Sequence, residues 1–245
     1  MVFKKRNLSL LLVLLLLIGL YLPVFAEEST EGIYPPRNPE GGNKLMTFSF
    51  ALSATPQDGL QVKVSTDHQA LVDSLLWEGM EVSNIQFTGA EGSAGFFSGG
   101  EEIIGFEEGI ILSTGHIKNV VGPNQFDDKS TSNNTPGDDD LNAIIPETET
   151  HDAAVLEFDF IPEADLLTFE YVFASDEYNE FVGSVFNDVF AFFVNGENVA
   201  LIPDTDTPVS INTVNNGFQE KLPSNPQYYR DNVRVEGSNS PYNTE

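Results

Sequence analysis

The sequence predicts a mainly β fold, a β-sandwich or jelly-roll-like architecture with one packed α-helix. In residues 153–161 and 166–174 apolar and polar side chains alternate, a period of two that is typical of strands with one buried face. The turn between these segments predicts that they pair as a hairpin. Residues 186–194 are apolar on both faces, which predicts a strand at the centre of a packed sheet. Only residues 66–79 carry the apolar stripe and the end signals of a helix.

Residues 1–26 have the pattern of a secretory signal peptide, in which three basic residues precede an apolar core at residues 8–22. Ala26 ends a small-residue cleavage signature, so a secreted mature chain is expected. The apolar core is short for a membrane span and is interrupted by Gly19, which predicts no transmembrane segment in the mature chain. An uncleaved N-terminal anchor is the alternative. The absence of cysteine excludes both a lipoprotein anchor and a disulfide framework.

The chain is strongly acidic, with 11 Lys and Arg residues against 38 Asp and Glu residues. The predicted signal peptide holds three of the basic residues and none of the acidic ones, so its removal leaves 8 basic and 38 acidic residues, a net charge of −30. This charge excludes binding to nucleic acid or to an anionic membrane by charge attraction. Divalent cations would relieve the self-repulsion, although acidity that only keeps an exported protein soluble is the simpler interpretation.

The individual elements follow from local patterns. Residues 27–44 are rich in Pro and Gly and predict a flexible leader. Thr66 or Asp67 can cap the helix and Gly79 can end it, while Trp77, the only tryptophan, is interpreted as a core anchor. Strands are predicted at residues 45–52, 60–64, 82–88, 109–115, 153–161, 166–174, 186–194, 198–202 and 208–214.

Two turn-rich segments predict loops. Residues 89–100 are rich in glycine, but no Walker lysine accompanies them, and Glu101 and Glu102 would repel a phosphate, so a structural role is predicted. Residues 122–140 are polar and acidic and predict an exposed loop, whose spacing does not fit an EF-hand.

Acidic residues in two parts of the sequence predict a cation-binding site. Asp176, Glu177 and Asp188 should lie at one rim of the sheet, because they stand at the facing ends of the two Phe-rich runs. Asp138 and Asp140 come from the acidic loop as further contributors. Carboxylate oxygens are the ligands that calcium prefers, so these five residues are the candidate metal ligands and Ca²⁺ the candidate cofactor. A solvated acidic loop without a metal is the alternative.

Six motifs appear in one order along the chain: GFFSGG at residues 95–100, GIILSTG at 109–115, LEFDF at 156–160, FASDEY at 173–178, FNDVFAFF at 186–193 and PVSIN at 208–212. This series resembles choice-of-anchor L domains over roughly residues 66–232. The resemblance implies an extracellular module of bacterial exported surface proteins, with no established enzymatic activity or ligand. Family members usually continue with a further strand and a closing hairpin, so residues 45–245 are expected to form a single domain that is incomplete at its C-terminus.

The favoured hypothesis is a non-catalytic surface-display or adhesion module that presents a face to a glycan, to matrix or to a partner protein. Attachment to the cell surface would come from a downstream anchor. Two alternatives stay open: a carbohydrate-active hydrolase using Glu177 and Asp188 as paired carboxylates, and an inert structural spacer. The three histidines lack zinc-site spacing, and no serine lies in a G-x-S-x-G elbow, so zinc enzymes and serine hydrolases are not predicted.

Overall fold

A computed structural model of the chain describes residues 60–76, 79–121, 129–162, 166–178 and 180–230, together with the backbone of residues 8–13 and 45–46. The predicted leader at residues 27–44, Trp77 and residues 231–245 lie outside the described residues. The strands are β1 Leu8–Val13, β2 Leu45–Met46, β3 Gln61–Val64, β4 Val82–Thr88, β5 Ala94–Ser98, β6 Glu108–Leu112, β7 Val155–Phe160, β8 Leu166–Leu167, β9 Val189–Val194, β10 Glu197–Asn198 and β11 Val209–Ser210. The helices are α1 His68–Leu75, α2 Glu101–Ile104 and α3 Asp139–Ile144, with 3-10 helices at Ile117–Val120 and Pro226–Tyr228.

The main sheet has six strands, in the order β10-β9-β1-β7-β4, and β11 pairs with the opposite end of β9. β7 alternates as the sequence predicts, because Leu156, Phe158 and Phe160 are buried while Glu157 and Asp159 are half-buried. A β-bulge interrupts the pairing of β4 with β7. There Asn84 adopts a left-handed conformation with φ 55°, and its side-chain amide donates to the Asp159 carboxylate at 2.6 Å. The predicted strands at residues 82–88 and 153–161 are confirmed.

The second sheet, of order β3-β5-β6, packs with helix α1 against the main sheet. The Asp67 side chain accepts from the Ala70 backbone N–H at 3.0 Å, which confirms the predicted helix cap. Leu71 and Val72 on α1 are fully buried. The core they join contains apolar side chains of β5, β6, β7 and β9, so one hydrophobic core lies between the two sheets. The mainly β fold with one packed helix is therefore confirmed.

The predicted structural loop at residues 89–100 is wrong in part, because β5 runs through it as the middle strand of the second sheet. The physical reason is Gly95, where a Cβ atom would lie 2.1 Å from the Lys63 carbonyl oxygen of β3. Glycine at this position lets two strands approach more closely than any other residue would allow. Glycine richness thus marked a crowded strand pair as well as a bend.

The predicted hairpin between residues 153–161 and 166–174 is also wrong. Both edges of β7 are occupied by β1 and β4, and only Leu166–Leu167 is a strand, which pairs in parallel with β2. The alternation in residues 166–174 has another cause. The Phe169 ring stacks on Phe192 at 3.6 Å between centroids, and Tyr171 lies 4.4 Å from Phe190. Alternate side chains of this segment therefore cover β9, although the segment forms no ladder there.

Two other predictions need adjustment. The predicted loop at residues 122–140 ends in helix α3, and its residues 122–128 lie outside the described residues. The strands predicted at residues 198–202 and 208–214 shorten to β10, β11 and an isolated bridge between Leu201 and Pro208.

A hydrogen-bond network ties α3 to the segment that precedes β7. The Thr150 hydroxyl donates to the Asn142 side-chain oxygen at 2.8 Å and accepts from the Asp138 backbone N–H at 2.9 Å. The chain approaches Thr150 so closely here that a Cβ atom on Gly137 would lie 2.0 Å from its carbonyl oxygen.

We expect Gly137→Ala to lower the free energy of unfolding by about 3 kcal/mol, since backbone on both sides must move apart. Gly115→Ala is the matched control, because the nearest atom to its Cβ would be the Thr131 nitrogen at 3.4 Å, an ordinary contact. The control should change stability by less than about 0.5 kcal/mol. Urea denaturation of both variants measures the difference, and equal unfolding midpoints would contradict the packing described here.

Candidate binding cleft

Ser175 links the two sides of the loop between the Phe-rich segments. Its side chain is buried, and its hydroxyl donates to the Asp188 carboxylate at 2.6 Å. The same oxygen accepts from the Glu177 backbone N–H at 3.1 Å. The carbonyl of Asp188 accepts from the Ile211 N–H at 3.0 Å, so Asp188 is fixed through both its side chain and its backbone. Ser175 thereby sets the position of the acidic loop against the start of β9.

The electrostatic environment of this link is unfavourable to negative charge. Burial raises the pKa of the Asp188 carboxyl, and the hydrogen bond from Ser175 offsets part of that rise. Burial also raises the pKa of the Tyr178 phenol, with further contributions from Tyr229 and Asp188. The Tyr178 hydroxyl donates to the Val214 carbonyl at 2.5 Å. A carboxyl and a phenol that are both held toward their neutral forms therefore lie close together at this end of β9.

A cleft of about 450 Å³ opens beside Ser175 and Asp188. Asp176, Glu177 and Asp188 line it together with a further carboxylate, Glu149. Hydroxyl side chains also line it, at Ser130, Thr131, Ser132, Thr148 and Thr150. The remaining lining residues are Thr114, Gly115, Ile145, His151, Asp152, Ala174, Ser175, Val185, Phe186, Asn187 and Val189. The cleft thus combines carboxylates, hydroxyls and apolar side chains.

Exposed apolar side chains line the cleft together with the carboxylates. Val185 is 72% exposed and Phe186 is 56% exposed. The Phe186 ring packs edge-on against Phe181, with centroids 5.3 Å apart. A large ring held in place by a neighbour and left accessible is a typical contact surface for a ligand.

The opposite wall is held by Asp152, which adopts a left-handed conformation with φ 55°. Its carboxylate accepts from the Thr135 N–H at 2.6 Å, from the Thr135 hydroxyl at 2.9 Å and from the Asn133 N–H at 2.9 Å. The Asn133 side chain in turn donates to the Thr114 carbonyl at 2.7 Å. Four hydrogen bonds therefore fix this wall before any ligand arrives.

The structure brings three of the five predicted acidic residues together and separates the other two. Asp176, Glu177 and Asp188 line the cleft. Asp138 instead caps helix α3, where its carboxylate accepts from the backbone N–H groups of Asp140 and Leu141. Asp140 is exposed in the first turn of that helix, outside the cleft. Over the described part of the chain, no group of three His, Asp or Glu side chains has the arrangement of a metal site.

Sequence reasoning missed three residues that shape the cleft. Ser175 stands two residues before Glu177, a position that fits a serine turn, and this local signal could have indicated its role. Asp152 carries no local pattern, because its partners Asn133 and Thr135 lie 19 and 17 residues away in the chain. The predicted buried strand at residues 186–194 includes Phe186, whereas in the structure Phe186 precedes β9 and is exposed.

The fold and the cleft define a mainly β module with an acidic, partly apolar cleft. The family model for the Choice-of-anchor L domain matches residues 61–245, so the chain belongs to that family, as its motifs predicted. Membership indicates a surface-associated module of an exported bacterial protein, in a family that is not known for enzymes. No curated protein and no solved structure matches the chain. Among the helices described, none has the length and apolar character needed to cross a membrane.

We expect the cleft to make stability depend on pH through Asp188. Because its folded-state pKa is raised, the stabilisation linked to this group is complete below the unfolded pKa of about 4. That stabilisation is lost as pH rises through the folded-state value. Asp188→Asn should remove this dependence. The unfolding free energy of the variant should therefore increase relative to that of the wild type as the pH rises.

Urea denaturation between about pH 4 and about pH 8, in chelator, measures this effect. Ser175→Ala is the companion variant. This substitution removes the hydrogen bond that lowers the Asp188 pKa. It should therefore steepen the dependence of the unfolding free energy on pH and lower that free energy by about 1–3 kcal/mol. In the double variant Ser175→Ala/Asp188→Asn, the steeper pH dependence of the unfolding free energy should be absent. An Asp188→Asn variant that keeps the slope of the wild type would contradict this assignment.

Proposed function

We propose that this protein is a non-catalytic, extracellular display module that binds a ligand in the cleft beside Ser175 and Asp188. The observation that carries the proposal is the juxtaposition of the exposed Phe186 ring with the cleft carboxylates. A rigid wall, an accessible ring and fixed polar groups are the elements of a recognition surface. The family, which belongs to exported surface proteins, supports the location of such a surface outside the cell.

The chemistry of the cleft bears on the class of ligand. The sequence leaves a glycan, matrix and a partner protein open as the ligand. A ligand that carries a basic group is favoured over an acidic glycan. The cleft contains the carboxylates of Asp176 and Glu177, and the whole chain has a net charge of −27. Val185 and Phe186 favour a ligand that also offers an apolar group. A basic, partly apolar segment of a protein in the matrix or on a partner cell satisfies both conditions.

We also propose that the protein binds calcium, at a site that uses only residues of the cleft. Asp176 and Glu177, with carbonyl and hydroxyl oxygens of the cleft, are the candidate ligands, and Asp188 would join them once a cation lowers its pKa. Asp138 and Asp140 are not part of the proposed site, because the Asp138 carboxylate caps α3 and Asp140 lies outside the cleft. A bound dication would reduce the repulsion between carboxylates at the same rim.

The hydrolase alternative has one observation in its favour. Asp188, whose pKa is raised by burial, and Glu177 line the same cleft. Two carboxyls in one cleft, one of them with a raised pKa, are the pattern of a glycosidase acid and its partner. The Ser175 hydrogen bond instead engages Asp188 within the protein. We therefore favour binding over hydrolysis. The ligand panels described next separate the two functions.

Ligand binding is tested by screening the protein against glycan, matrix-protein and basic-peptide panels. Phe186→Ser should weaken binding by about 10–100-fold, the value of one buried ring contact. Leu222→Ser is the matched control, because Leu222 is 86% exposed but does not line the cleft, and its removal should leave affinity unchanged.

Three outcomes would contradict the proposal. A protein that binds no member of any panel would be an inert spacer. Equal effects of the Phe186 and Leu222 substitutions would place binding elsewhere. Cleavage of a glycan that disappears in Glu177→Gln would make the protein a hydrolase.

The calcium proposal predicts a higher melting temperature in calcium than in chelator. Glu177→Gln should reduce that increase, whereas Asp140→Asn should preserve it, because Asp140 lies outside the cleft. Differential scanning calorimetry of the three proteins measures the effect. Identical melts in calcium and in chelator would remove the metal from the proposal.

A further inference from the structure

The exposed ring that faces the cleft is carried by one loop, residues 180–187, which is called the Phe186 loop below. Phe186 and Asn187 from this loop line the cleft. Within the loop, the Ser184 N–H donates to the Phe181 carbonyl at 2.9 Å, and the Phe186 N–H donates to the Ser184 hydroxyl oxygen at 3.1 Å. These bonds give the loop its local shape, but they do not attach it to the rest of the protein.

Asn212, the last residue of the PVSIN motif, attaches the loop through hydrogen bonds to three of its residues. Its side-chain oxygen accepts from the Gly183 N–H at 2.5 Å, and its side-chain nitrogen donates to the Ser184 carbonyl at 3.1 Å. Its backbone N–H donates to the Asn187 side-chain oxygen at 2.9 Å. Because a peptide N–H only donates and a carbonyl only accepts, both ends of the Asn212 carboxamide are needed here, and an ionised or apolar side chain would not supply both.

Asn212 is itself held by the core of the protein. Strand β11 pairs with β9, and the Ile211 N–H extends this pairing to the Asp188 carbonyl at 3.0 Å. The Asn215 side chain, which is buried, donates to the Ile211 carbonyl at 2.9 Å. The loop is therefore fastened to a support that does not depend on a ligand.

Lys221 adds a second attachment at the neighbouring position of the loop. Its ammonium group donates to the Val182 carbonyl. Its side-chain carbons lie over Gly183, where a Cβ atom would come within 2.9 Å of the Lys221 Cδ. Backbone groups of three consecutive loop residues, 182–184, are thus held by two side chains of the segment 212–221.

We propose that Asn212 is a positioning residue of the cleft, which holds the Phe186 loop in the conformation that binds ligand. This inference rests on the proposed function and adds to it the residue that keeps the aromatic contact in place. Beyond Val182, which is buried, the side chains of Val185 and Phe186 are exposed, so burial does little to hold this part of the loop. Without the attachment only a fraction of the molecules has the loop in place, and the apparent affinity falls in proportion to that fraction.

The main test compares Asn212→Ala with Asn84→Ala. The first variant removes both side-chain bonds to the loop. The second removes a side-chain bond to Asp159 at the β-bulge of β4, outside the cleft. The probe is a basic peptide that the wild-type protein binds. Asn212→Ala should bind it at least about fivefold more weakly, the value of about one net hydrogen bond. Asn84→Ala should bind it within about twofold of the wild type.

Two further measurements separate positioning from a general loss of stability. Hydrogen exchange of the unliganded proteins follows the amides of Gly183, Ser184 and Phe186, which should exchange at least about tenfold faster in Asn212→Ala and at the wild-type rate in Asn84→Ala. In the Phe186→Ser background, Asn212→Ala should weaken peptide binding by less than about twofold, because the ring that the loop presents is already absent.

Lys221→Met tests the same attachment from an exposed position, where a substitution should not impair folding. It removes the bond to the Val182 carbonyl and keeps an unbranched side chain over Gly183. Lys63→Met is the matched control, because it removes the same charge from an exposed position on β3, outside the cleft. The basic peptide should bind at least about threefold more weakly to Lys221→Met than to Lys63→Met.

Three results would overturn the proposal. Equal exchange of the loop amides in the wild type and Asn212→Ala would mean that the loop holds itself. Equal losses of affinity in Asn212→Ala and Asn84→Ala would reduce the effect to general stability. Fully additive losses from Asn212→Ala and Phe186→Ser would place the action of Asn212 outside the loop. A wild-type protein that binds no panel member would instead contradict the proposed function, and exchange of the unliganded loop would still decide whether Asn212 holds it.

Discussion

Burial of β9 on both faces is the constraint on which the structure depends. Phe190 and Phe192 point into the core between the two sheets, while Val189, Ala191 and Phe193 belong to a second cluster with Leu141 and Ile145 of the α3 region. Neither cluster is complete without this strand, so its neighbours on both sides are fixed by it. Residues 166–174, which form almost no strand, are nonetheless held in place because their rings stack on it.

The acidic cleft is a consequence of where this buried strand begins. Asp188 directly precedes Val189, so its carboxyl is drawn into a poorly solvated region, and Ser175 provides the hydrogen bond that makes this tolerable. The residues just before it, Val185 and Phe186, are no longer in the core and stay exposed. One boundary between buried and solvated chain thus produces a desolvated carboxyl and an accessible aromatic surface side by side, which is the combination expected of a recognition site.

Much of the secondary structure could be predicted from local pattern. Strands β4, β7 and β9 and helix α1 were found because each has a periodicity or a cap that its own residues create, such as Asp67 at the helix start. Pairing could not be predicted in the same way. The alternation of residues 166–174 looks the same whether it faces a ladder or covers another strand, and Gly95 looks like a loop glycine until the Lys63 carbonyl is seen beside it.

The sequence by itself determined the fold class, the family and three of the acidic residues that line the cleft, because periodicity, motif order and proximity in the chain are local properties. Only the tertiary structure decided that Asp152 fixes one wall of the cleft and that residues 8–13 occupy the centre of the sheet. These roles depend on partners that are distant in sequence. Side-chain and strand partners at that distance are chosen by packing and hydrogen bonding in three dimensions, which no local pattern records.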